Sequence, residues 1–178
     1  MALLPILTAP DPRLKRKSKP VAKVDDRIRR LMADMIETMH DSNGVGLSAP
    51  QVGAFERVIV VDIAPEDADA KAKRTTLKIA NPEILWASDE KVVCNEGCLS
   101  LPEQYADVER PAAIKLRYLD EQNEIRELDA KGLLATCIQH EMDHLEGVLF
   151  VDHISALKRG IILRKLAKAK RQKTPVPA

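Results

Sequence analysis

Between residues 25 and 40 apolar side chains recur at Ile28, Leu31, Met32, Met35, Ile36 and Met39, separated by charged ones. That spacing predicts a helix with one stripe facing a core, capped at its start by Asp25 or Asp26 and running to about His40. Asp41-Ser42-Asn43-Gly44 carries turn chemistry to end it. The run Arg57–Ile63 (RVIVVDI) is apolar almost throughout and of strand length, which predicts a buried strand. Shorter runs predict strands at 77–80, 92–94, 113–119 and 124–128, with Glu121-Gln122-Asn123 turning between the last two. Asp129 then caps a second helix, Gly147 terminates it, and Ser155 caps a third. The first 24 residues, punctuated by Pro5, Pro10, Pro12 and Pro20, are expected to wrap the body in extended form. Strands and helices are segregated along the chain, so the predicted class is α+β with mostly antiparallel sheets.

Composition narrows the picture. A chain of 178 residues suits one domain, and with aromatics at 3% the core must be aliphatic. So few aromatics also speak against nucleic-acid binding by base stacking. Three cysteines, an odd number, suit a reducing compartment better than a disulfide framework. No apolar run approaches the ~20 residues that span a bilayer, and Met1–Leu7 is too short for a secretory signal. The expected setting is cytoplasmic, with no membrane contact. Eight basic residues and no acid follow Asp152, so the near-neutral net charge of +1 conceals an acidic body and a basic end. Residues 1–155 are expected to hold the catalytic machinery. Residues 156–178 form a basic C-terminal helix and tail of the same domain, stopped by Pro175.

Chemistry enters at Gln139-His140-Glu141-Met142-Asp143-His144, an H-E-x-x-H motif inside the second predicted helix. Residues four apart on a helix lie ~6 Å apart along its axis on nearly the same face. Two imidazoles so placed can converge on one metal ion, with the glutamate between them reaching the attacking water. A catalytic site needs a third protein ligand. A metzincin-type histidine would fall at position 150, which is Phe150, and a thermolysin-type glutamate has only Glu146 to offer, too close in sequence. Cys137 shares the helix face but lies about 10.5 Å of axial rise from His144, too far to share an ion. Upstream, Cys98 in Glu96-Gly97-Cys98-Leu99-Ser100 is the better source, with Cys94 as its rival. Asp143 faces away from the ligands. Glu96 is expected to brace the cysteine loop by pairing with Arg110, and His40 and His153 to be structural.

Three segments taken in order, Gly44-Val45-Gly46-Leu47-Ser48-Ala49-Pro50-Gln51, Glu96 to Ser100 and Gln139 to His144, resemble the motifs of the peptide deformylase family. The likeness runs from Ala9-Pro10-Asp11-Pro12-Arg13-Leu14 to the C-terminal helix, with one departure at Ser48, where the family more often has Ala. The resemblance implies a hydrolase that removes the formyl group from the formyl-methionine of nascent chains. It implies Cys98, His140 and His144 as ligands of one divalent ion, typically Fe²⁺, with Zn²⁺, Ni²⁺ or Co²⁺ able to replace it. It further implies Glu141 as acid/base, with Gln51 and the backbone N–H of Leu99 as oxyanion donors. The fold it implies is a sheet-rich body around the helix bearing the histidines. By similarity Val45, Cys94, Leu133 and Cys137 line an apolar pocket for the methionine side chain, though plain core packing would use the same residue types. Gly46 and Gly97 allow close approach of backbone to ligand, or simply turn the chain. The expected partners are formyl-Met peptides and, through the basic tail, the ribosome; the expected state is a monomer.

Overall fold

The computed structural model describes residues 2–63 and 75–173, so Pro175 lies outside the described residues. Helix α1 spans Asp26–Asp41, and the Asp25 carboxylate accepts from the Ile28 N–H at 3.0 Å to cap it. Strands β1 (Gly46–Ser48), β2 (Val58–Ile63), β3 (Thr75–Ala87), β6 (Ala113–Leu119) and β7 (Ile125–Lys131) form a five-stranded sheet in the order β1-β2-β3-β6-β7. Strands β4 (Lys91–Cys98) and β5 (Leu101–Pro111) make a separate two-stranded sheet. The pairings among these seven strands are all antiparallel. Helix α2 spans Gly132–Leu145 and α3 spans Ala156–Lys173. This is an α+β architecture, and α2 touches strands of both sheets.

Strand β2 explains why its sequence lacks alternation. Val58 and Val60 pack with Ile28, Met32, Met35 and Met39 of α1, while Ile59 and Val61 pack with Ala135, Ile138 and Leu145 of α2. With a helix on each face, positions 58–61 are all apolar, and the alternation fails. A third cluster joins Leu14, Leu101, Val108 and Phe150 to Ile162 and Leu166 of α3. The basic helix is thereby anchored by two residues one turn apart. Leu157 stays exposed, as do Arg164, Lys165 and Lys168. Among the described residues no helix is long and apolar enough to cross a membrane.

Three expectations need correction. Asp129 does not cap α2: it sits in β7 opposite Lys115, at 3.9 Å from its ammonium, and the helix starts after Lys131 with no side-chain cap. Strands β1 and β5 were not predicted at all. The run at 77–80 is only the inner part of a strand that continues to Ala87, through two irregularities in its pairing with β6. Gly147 does end α2, with φ at 74°, a left-handed conformation that suits glycine.

Candidate active site

Three elements deliver the chemistry. Helix α2 presents His140 and His144 on one face, with ring centroids 5.1 Å apart. Strand β4 delivers Cys98 at its end, where the pairing with β5 slips between Gly97 and Cys98. Such an irregularity re-aims a side chain, here towards α2. Cys98 Sγ lies 3.3 Å from His144 Nε2, and the ligand atoms of Cys98, His140 and His144 all fall within 4.8 Å of one another. Tetrahedral coordination with ordinary Cys and His bond lengths separates donor atoms by about 3.3–3.6 Å. The three side chains therefore fit a divalent ion without rearrangement of the backbone.

The surroundings orient these donors. His140 Nδ1 donates to Glu96 Oε2 at 2.8 Å, which turns Nε2 towards Cys98 and His144. Glu96 is gripped in turn by Arg110, whose Nε and Nη2 donate to its two oxygens at 2.5 and 3.0 Å. Arg110 Nη1 donates to Asp143 Oδ2 at 2.9 Å, and that oxygen also accepts from His153 Nε2 at 2.7 Å. So Asp143 faces away from the ligands, as its helix position implied, yet braces them through Arg110, and His153 belongs to the same chain of contacts. His40 lies elsewhere, paired with Asp62. Phe150, at the position where a metzincin would carry a third histidine, stacks on His140 at 6.4 Å. His144 has no comparable brace: its Nδ1 is buried and unpaired among the described residues.

Charge follows burial and partners. Burial works against ionising His140, but its contacts with Cys98 and Glu96 win and hold it well above the usual imidazole range. Burial, reinforced by the charge of His140, pushes His144 well below that range. Burial would raise Glu96, yet His140 and Arg110 together keep it below the usual carboxylate range. Glu141 is different. Burial outweighs the pull of His140 and Ser48 and lifts it to about 7, and its Oε2 meets no hydrogen-bond partner among the described residues. A buried carboxyl near neutrality with one free oxygen is equipped to take up and return a proton.

These groups border a cavity of about 420 Å³. His140, Glu141, Gln51, Cys98 and Leu99 stand on its wall, Leu99 in the turn between β4 and β5. The six residues expected to contact substrate line it as well, but differently. Val45 and Leu133 are rim residues, 45% and 50% exposed. Cys94 is half-buried beside Thr136, and Cys137 is buried with its thiol 3.8 Å from the Val45 carbonyl. Burial pushes the Cys137 thiol up, which keeps it protonated. At Gly46 an added Cβ would lie 2.6 Å from Glu141 Oε1 and 2.7 Å from Cys137 Sγ, so the close approach there is of β1 to the protein's own helix α2. Gly97 is covered by the ring of Tyr105, its cross-strand partner.

Sequence reasoning missed three residues. Tyr105 is 66% exposed on the cavity rim, and it was invisible because β5 was not predicted. Ser48 and Ser100 are fully buried and hold the amide of Gln51 from either end. Their signal is in two of the motifs, where Ser48 stands three residues before Gln51 and Ser100 two residues after Cys98.

The polypeptide deformylase family matches residues 3–160 of the chain. A peptide deformylase of Rhizorhabdus wittichii is 57% identical over 172 residues, 96% of this chain and 97% of that protein. One from Phenylobacterium zucineum is 55% identical over 94% of this chain and 97% of its own length. Among solved structures, peptide deformylase from Ehrlichia chaffeensis in complex with actinonin superposes with a TM-score of 0.90 at 42% identity, covering 96% of this chain and 99% of that one.

Proposed function

The chain belongs to the polypeptide deformylase family, and from that premise we propose that Cys98, His140 and His144 hold one divalent ion while Glu141, Gln51 and Leu99 carry out the hydrolysis around it. The enzyme removes the formyl group from the N-terminal formyl-methionine of nascent polypeptides and releases formate. The observation carrying the residue assignment is the convergence of the three ligand atoms beside the unpaired oxygen of Glu141.

When bound, the ion would supply Lewis acidity, which eases loss of a proton from water so that a hydroxide nucleophile is available near neutral pH. Glu141 Oε2 takes the proton of that water and later delivers it to the departing amine, so that one carboxyl serves as base and then acid. The C–N bond of the formamide breaks, formate leaves, and the methionine amine is freed. The side-chain NH₂ of Gln51 and the N–H of Leu99 stabilise the formyl oxygen as it gains charge. Val45, Leu133 and Cys137 offer apolar surface to the methionine side chain, with Gly46, Gly97 and Cys94 shaping the walls. Fe²⁺ is the native ion in this proposal, by resemblance, and the same Cys/His/His set accepts Zn²⁺, Ni²⁺ or Co²⁺.

A formyl-Met peptide should yield formate and free amine in equal amounts, while the unformylated peptide stays intact. Cleavage at internal peptide bonds would instead identify a general metallopeptidase.

We place the enzyme in the cytoplasm as a monomer, a setting that its free thiols and nascent-chain substrate support. Residues 156–178 belong with 1–155 in one domain, supported by the contribution of Ile162 and Leu166 to a shared core. The basic residues of α3 are offered to ribosomal RNA. Arg159 is already committed to Asp152 at 3.0 Å, so the phosphate contacts are assigned to the exposed Arg164, Lys165, Lys168 and Arg171. Truncation after Ala167 should leave hydrolysis of a free peptide within about twofold, while ribosome co-sedimentation weakens and loses salt dependence. Equally salt-sensitive binding by the truncated enzyme would remove the tail from the account.

A further inference from the structure

The amide of Gln51 is 1% exposed, and a buried amide can act as an oxyanion donor only one way round. Rotation of its terminal torsion by half a turn exchanges oxygen and nitrogen in almost the same volume, and that torsion is intrinsically two-fold. Something must therefore break the symmetry. At one end Gln51 Oε1 accepts from the Ser48 backbone N–H at 2.9 Å and from the Ser48 hydroxyl at 2.8 Å. At the other, Nε2 donates to Ser100 Oγ at 3.1 Å and lies 3.5 Å from Cys98 Sγ.

We propose that Ser48 is a positioning residue, whose hydroxyl and backbone N–H together lock the Gln51 amide with its NH₂ towards Cys98 and the substrate oxygen. The inference rests on the reading of Gln51 as an oxyanion donor. A backbone N–H can only donate, so a flipped Gln51 would set two donors against each other in a site with no solvent to relieve them. Ser48 itself is fully buried, which leaves its hydroxyl no water to turn to. The backbone N–H decides which end is oxygen. The hydroxyl adds a second bond to the same atom and so narrows the angle through which the NH₂ can swing. Alanine at this position would keep only the backbone donor, which bounds the effect of the hydroxyl to that of one hydrogen bond.

Ser48 also lies against Glu141, whose carboxylate competes for the same hydroxyl proton. A double-mutant cycle on the metal-loaded enzyme separates the two routes, using Ser48→Ala, Gln51→Ala and the pair. Ser48→Ala should lower kcat about 5-fold, the worth of one hydrogen bond, with KM and metal content unchanged. In the Gln51→Ala background the same change should cost nothing further. The Gln51 side-chain amide protons should exchange with solvent faster in Ser48→Ala than in the parent, a readout independent of turnover. Equal losses in both backgrounds would show that Ser48 acts through Glu141 or the fold, and an unchanged kcat in Ser48→Ala would show that it positions nothing; either result overturns the proposal. Near-parental turnover in Gln51→Ala alone is a different failure: it would remove Gln51 as a donor, and with it the reading on which the proposal stands.

Discussion

Replacing Glu141 with Gln is expected to leave the metal content at one ion per chain and to lower kcat by ~10²–10⁴, the range typical for losing a general acid/base. The substitution is nearly isosteric, and the site has little room for anything larger, since Gly46 already brings β1 against Glu141 Oε1. The three ligands are untouched. What disappears is a carboxyl that burial has lifted to about 7 and that can both accept and return a proton near neutrality. The amide can hydrogen-bond in the same place but carries no proton between water and amine. Substrate binding does not depend on that proton, so KM should hardly move. Metal analysis beside steady-state assays with a formyl-Met peptide decides the matter. Turnover within tenfold of the parent, at full metal occupancy, would place the acid/base function on another group.

Much of this site could be read from the chain because its chemistry is local. His140, Glu141 and His144 are set by helical spacing alone, and helix formation needs only the apolar stripe that buries them. Cys98 is another matter. Helical spacing sets Cys137 aside, but no spacing decides between Cys94 and Cys98; Gly97 and the resemblance favour Cys98, and it is a slipped β-hairpin register that brings this sulfur to the histidines. Long-range partners were harder still. The Glu96–Arg110 grip was anticipated, but its continuation through Asp143 to His153 joins β4, β5, α2 and the turn beyond, contacts that no local pattern encodes.

The fold shows the same division. Helix α1 carries strong apolar periodicity and strand β2 a nearly continuous apolar run, and the sequence marks both nearly to their ends. Strand β5 escaped because Leu101–Pro111 is mostly polar, starts beside a proline and includes Glu103 at φ 59°. Its strand character comes from pairing with β4, and pairing overrides weak intrinsic propensity. Asp129 misled for a related reason: an acid before a helical run reads as a cap, yet the carboxylate had a cross-strand lysine available and the strand continued past it. The three residues of β1 are too few for any alternation to register.

Among the three cysteines, only Cys98→Ser is expected to strip the metal. Cys94 and Cys98 lie on the same face of β4, but four strand residues separate them by about 13 Å, well beyond a shared coordination sphere. The Cys94 thiol is instead 3.6 Å from Thr136 Oγ1. Cys137 is one turn before Glu141, faces the Val45 carbonyl and is kept protonated by burial, so it makes a poor ligand. Cys98 alone stands 3.3 Å from His144 Nε2. Losing a group that merely orients a ligand typically costs 10–100-fold in metal affinity. Loss of the thiolate itself should cost at least ~100-fold, with activity falling in parallel. Cys94→Ser and Cys137→Ser should keep one ion per chain, and any loss of activity in them should appear in KM, since both border the substrate cavity. Metal titration of the three variants against a competing chelator ranks them directly. An ion retained by Cys98→Ser at parental affinity, or lost from Cys94→Ser, would mean that the hairpin slip presents the wrong sulfur to the histidines.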